Sequence, residues 1–137
     1  MDNLVITKKI ESLTHCLNRI ETKRPSDITM LMDDYDLQDI ISVNLERAIQ
    51  LCVDIAAIII SEKEIKTANT MAGSFQALEN AKILPKELSL KMQKSVGFRN
   101  ISVHEYRSID WEIVFEIIHD HLVNFKHFIK FVMEQFL

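Results

Sequence analysis

The sequence predicts an all-α fold, an antiparallel bundle of four to five helices forming a single domain over residues 1–137, and three observations carry that expectation. Only 2 Gly and 2 Pro occur in the whole chain, too little turn chemistry for a sandwich, a barrel or a nucleotide-cradling loop. With 47% hydrophobic and 26% charged residues, the chain can bury one core and is neither disordered nor long enough for several domains. Apolar residues recur every three or four positions along most of its length, which is the period of an amphipathic helix.

The first helix is expected over residues 3–23, where Ile6, Ile10, Leu13, Leu17 and Ile20 share one face, and Pro25 ends it. A polar connector follows, in which Ser26, Asp27, Asp33, Asp34 and Asp36 are all candidate caps for the next helix. That second helix, over about residues 37–63, carries the broad stripe Ile40, Ile41, Leu45, Ala48, Cys52, Ile55, Ala56 and Ile59, which predicts the central position. A short third helix over residues 73–83 stops before Pro85, whose fixed φ suits the start of a fourth that reaches at least Gly97.

Residues 100–108 are weaker helix formers, because Asn, Ser and the β-branched Ile101 and Val103 fall there. Asp110 reads as the cap of the last helix, which continues to the C-terminus through Val114, Ile118, Leu122, Phe125, Phe128 and Val132. The aromatic series Phe115, Phe125, Phe128, Phe131 and Phe136 is expected in the core or a dimer interface.

Several functional classes drop out. Cys16 and Cys52 form no CxxC pair and cannot staple a small secreted domain, which fits a reducing cytoplasm. The N-terminus has no charged-then-apolar leader, and the longest uninterrupted apolar run, residues 55–60, is far short of a membrane span, so a cytoplasmic protein with no membrane partner is expected. His119 and His121 are two apart and cannot chelate one metal as i, i+4 histidines do, and the run Asp33, Asp34, Tyr35, Asp36 lacks the glycine and distal glutamate of a calcium loop. No metal and no cofactor are expected. Arg47 and Asp54, seven apart on one face, read as a salt bridge or a structural brace.

The net charge of −4 hides an asymmetry. Residues 82–107 hold six basic and two acidic side chains, a local +4, while the remainder of the chain carries −8. A basic field on an acidic protein suits a phosphate-bearing ligand. Within that segment Arg99, Asn100, His104 and Tyr106 fall in eight positions. Arg99 can grip phosphoryl oxygens with paired donors, and His104 can exchange a proton near neutral pH. Five positions at about 100° each put the two roughly 140° apart on a continuous helix. Either the helix breaks near Asn100, or the two groups meet across a symmetric dimer in which each subunit contributes a motif to one cleft.

These residues resemble the signature of the HEPN superfamily of small helical RNA-binding and ribonuclease domains: an Arg, a polar residue, a short spacer and a His, here Arg99, Asn100 and His104. The HepT-like toxins within it add a Tyr two positions after the His, and Tyr106 is there. Asn44, Leu45, Glu46 and Arg47, together with Asp54, Ile55 and Ala56, also look like that group. The resemblance covers nearly the whole chain. It implies a metal-independent endoribonuclease, the toxin of a type VII toxin–antitoxin pair, acting on messenger or transfer RNA. Its implied partner is an MNT-type nucleotidyltransferase antitoxin that attaches AMP to Tyr106. The competing expectation is a non-catalytic helical partner that helps a nucleotidyltransferase hold nucleotide or substrate.

Overall fold

A computed structural model describes residues 3–66 and 69–137. Its helices are α1 (Asn3–Lys23), α2 (Ile28–Asp33), α3 (Tyr35–Glu62), α4 (Met71–Asn80), α5 (Lys86–His104), α6 (Trp111–Glu116) and α7 (Leu122–Phe136), with a 3₁₀ turn at Tyr106–Ser108 and a π-helical turn at Ile117–His121. No strand occurs among the described residues, so the all-α expectation holds.

Helix α3 is the axis of the bundle. It packs against α1, α4, α5 and α7, and its stripe of Ile41, Leu45, Ala48, Cys52, Ile55, Ala56 and Ile59 is fully buried. From α1, the predicted face of Ile6, Ile10, Leu13, Leu17 and Ile20 closes one side. Phe75 of α4 meets Phe128 of α7 edge to face across the opposite end, ring centres 5.8 Å apart. Phe125 is buried as well, whereas Phe115, Phe131 and Phe136 are half-buried and packed on the core.

The polar connector contains more structure than its composition suggests. Asp27 caps the short α2 by accepting from the Thr29 amide at 2.9 Å, and Asp34 caps α3 by accepting from the Leu37 amide at 3.0 Å. Only Leu31 of α2 is buried, so six residues offer too little periodicity to be read as a helix. Gln38, itself buried, donates its side-chain amide to the Leu31 and Met32 carbonyls and so fastens α2 to the start of α3.

Two helices end on left-handed residues that are not glycine. At the end of α3, Glu64 has φ 52° and the Ile65 amide donates to the Ile60 carbonyl at 3.0 Å. At the end of α4, Lys82 has φ 62° and the Ile83 amide donates to the Leu78 carbonyl at 2.9 Å. Both close the chain reversal that satisfies the last helical carbonyls, at positions where glycine is the unstrained choice.

The last helix is not uniform. Asp110 caps it as expected, accepting from the Glu112 amide at 3.0 Å, but the π turn interrupts it between α6 and α7. There Arg24 donates to the Ile118 carbonyl at 2.7 Å, and the His119 ring hydrogen-bonds the Pro25 carbonyl at 2.8 Å. The wider turn leaves a carbonyl open to an outside donor, and the end of α1 uses it. Among the described residues no helix is long and apolar enough to cross a membrane.

Candidate functional site

Arg99, Asn100 and His104 all lie on the last turns of α5, which runs unbroken to His104. The expected break near Asn100 does not occur, because burial of Val96 and Ser102 holds the segment against its neighbours despite weak local propensity. Arg99 and His104 therefore diverge by roughly 140° around one helix and do not converge within the chain.

Each side chain has its own setting. Arg99 is half-buried and donates from Nη1 to the Asn100 side-chain carbonyl at 3.3 Å. Asn100 and His104 are exposed, and His104 has no hydrogen bond or ion pair among the described residues. Between them in sequence, Ser102 is buried and donates its hydroxyl to Oε1 of Glu46 on α3, which anchors the motif turn to the central helix.

Tyr106 follows in the 3₁₀ turn. Its hydroxyl donates to Oδ1 of Asp39 at 2.7 Å, and its ring meets Trp111 edge to face, centres 6.0 Å apart. Burial, followed by the hydrogen bond to Asp39 and the charges of Asp39 and Glu46, pushes the phenol up to about 12, against a smaller opposing contribution from Ser42. Asp39, Ser42 and Glu46 are spaced three and four apart, so one face of α3 runs beneath the motif.

Sequence reasoning noted Glu46 only as part of a resemblance and missed Asp39 and Ser42. The available signal was polar residues at helical spacing beside an apolar stripe.

The other candidates are accounted for structurally. The expected Arg47–Asp54 brace is not formed: Asp54 pairs with Lys9 at 3.8 Å and accepts from Gln50 at 2.9 Å, while Arg47 is exposed near Cys16. Lys9 reaches Asp54 from the adjoining α1. Burial raises the thiols of both Cys16 and Cys52, and neither is in a disulfide. His119 stacks on Phe115, ring centres 4.4 Å apart, and His121 pairs with Glu116 at 3.2 Å. Among the described residues no three His, Cys, Asp or Glu side chains gather as a metal would require.

An apolar cavity of about 600 Å³ opens between α5 and the last helix, lined by Met92, Phe98, Ile101, Ile113, Ile117 and Phe125. Arg99, Asn100 and His104 are not among its walls. Of the basic residues of the segment, Lys82, Lys86, Lys91, Lys94 and Arg107 are exposed, and Lys91 is paired with Glu87 at 3.5 Å.

Comparison with known proteins follows the same lines. Residues 7–132 match the family described as Ribonuclease HepT-like. The chain is 32% identical over 130 residues to the mRNA nuclease HepT of Shewanella oneidensis, covering 95% of this chain and 97% of that protein. Its fold matches that of the tri-AMPylated Shewanella oneidensis HEPN toxin in complex with MNT antitoxin, with a TM-score of 0.91 at 30% identity over 98% of this chain and 100% of the other. A toxin–antitoxin crystal structure with AMP-PNP matches equally well, with a TM-score of 0.91 at 30% identity over 96% and 98% of the two chains.

Proposed function

The chain belongs to the HepT-like ribonuclease family, and from that membership we propose that it is an endoribonuclease, the toxin of a type VII pair whose antitoxin is an MNT-type nucleotidyltransferase. The observation that carries the reading is the exposed, unpartnered imidazole of His104 on the same helix as Arg99, in a chain with full-length identity to a nuclease. The relative is named an mRNA nuclease, which favours messenger RNA over transfer RNA as substrate.

His104 takes the proton of a ribose 2′-hydroxyl, whose oxygen attacks the adjacent phosphorus and expels the 5′-oxygen of the next nucleotide. Arg99 stabilises the charge that accumulates on the phosphoryl oxygens, and Asn100 orients the Arg99 guanidinium through the contact already present. The products are a 2′,3′-cyclic phosphate and a 5′-hydroxyl. This chemistry needs no metal, since proton transfer and charge stabilisation both come from side chains.

Because Arg99 and His104 diverge on an unbroken helix, the working unit is a homodimer in which each subunit presents its motif to a shared cleft. Tyr106, two residues after His104, is the AMP acceptor. A nucleotide there adds a bulky anion beside the imidazole and repels the RNA backbone. The likeness to an AMPylated toxin bound to its antitoxin supports that role.

Expression of the wild-type chain and of His104→Ala, followed by analysis of RNA ends, tests the reading. Growth arrest and new cyclic-phosphate ends with the wild type alone support it. Equal growth and intact RNA, with soluble protein confirmed, overturn it in favour of a non-catalytic partner of a nucleotidyltransferase.

A further inference from the structure

Asp39 stands exposed on α3, and its Oδ1 accepts the Tyr106 hydroxyl at 2.7 Å. The contact spans 67 residues of sequence and aims a carboxylate at the one atom of Tyr106 able to act as a nucleophile. Trp111 meets the ring edge to face, and Ser42 lies near the same hydroxyl. With its ionisation pushed up to about 12, only about one phenol in 100,000 is phenolate at neutral pH. Attack by the free phenolate is therefore suppressed, and the proton has to leave as the new bond forms, which calls for a base within hydrogen-bond reach.

We propose that Asp39 is the general base that activates Tyr106 as a nucleophile toward the α-phosphorus of a nucleoside triphosphate. The inference rests on the reading of Tyr106 as the AMP acceptor. The Tyr106 oxygen bonds to the α-phosphorus, the bond from that phosphorus to its bridging oxygen breaks, and pyrophosphate leaves with the electron pair. The phenolic proton passes to Oδ1 of Asp39 and from there to water. The acceptor chain thus supplies part of the chemistry for its own silencing, while the transferase supplies the nucleotide.

A rival role for the same contact has the opposite sign. If Asp39 merely restrained the ring, removing its charge would free the hydroxyl, ease its ionisation and speed modification. Asp39→Asn separates the two, since the amide oxygen can still accept the hydrogen bond but cannot take the proton.

The probe is fluorosulfonylbenzoyl adenosine, in which a tyrosine oxygen displaces fluoride from sulfur and loses its proton to a base. Labelling of Tyr106 is followed by peptide mass spectrometry, with the exposed Tyr35 as internal reference. The proposal expects Asp39→Asn to slow Tyr106 labelling by tenfold or more, toward the roughly 100-fold typical of a lost general base, with Tyr35 unchanged. A smaller fall, a rise, or no labelling of Tyr106 in the wild type overturns it. The probe requires neither RNA nor transferase, so the outcome is independent of whether the chain cleaves RNA.

Discussion

Ser102 and Glu46, 56 residues apart in sequence, share a hydrogen bond that ties the motif turn of α5 to the middle of α3. Ser102 is buried, and its position between Arg99 and His104 makes it the point at which that turn is held. Ser102→Ala leaves the Glu46 carboxylate without this donor in a half-buried position, which should cost about 1–2 kcal/mol of stability. It should also lower RNA cleavage by letting the motif turn shift. Urea unfolding and a cleavage assay check both, and a variant as stable and as active as the wild type would remove the anchoring role.

Arg99 and His104 contribute little to the core. Arg99→Ala and His104→Ala should each reduce cleavage by roughly 100-fold or more with the melting temperature nearly unchanged. Arg99→Lys should not restore activity, because an ammonium lacks the planar paired donors of the guanidinium. Unfolding of either alanine variant would assign these residues to structure instead of catalysis.

At the left-handed positions, glycine should stabilise. Glu64→Gly and Lys82→Gly remove a Cβ from backbones at φ 52° and 62° and should each add about 1 kcal/mol. Thermal unfolding reads this directly. A fall in melting temperature would mean that the greater entropy of glycine in the unfolded chain outweighs the relieved strain.

Alkaline pH should act through Tyr106. Its phenol is raised in the folded chain from the usual 10 to about 12, so the stabilisation is complete below pH 10 and is lost as pH climbs from about 10 to about 12. Ultraviolet titration should show two tyrosinate steps, Tyr35 ionising before Tyr106. Subtracting the stability profile of Tyr106→Phe from that of the wild type isolates the effect from lysines and thiols that titrate nearby. A single step shared by both tyrosines would refute it.

The parts legible in the sequence are those with a period or a motif. The stripes of α1 and α3, the stop at Pro25 and the cap at Asp110 all follow from repeating apolar spacing and local side-chain chemistry. Helix α2 escaped notice because six residues with one buried side chain do not establish a period. The α5 continuation through His104 ran against local propensity and was decided by tertiary burial of Ser102. The motif residues Arg99, Asn100, His104 and Tyr106 were recognisable as a constellation, but the carboxylates that brace them come from α3, far away in the chain. Hydrogen bonds of that kind leave no local pattern to read.

The π turn at Ile117–His121 sets the phase of everything after it. A π turn accommodates an extra residue in a helix that would otherwise keep 3.6 per turn. Removing one residue from this stretch would restore α-helical winding and shorten the path to α7, rotating its buried face by about 100°. Phe125, Phe128 and Val132 would swing out of the core, and Arg24 would lose the Ile118 carbonyl. The reading frame of the last helix is thus indexed to its irregular turn, so that length at this point is as strictly constrained as side-chain identity is elsewhere in the core.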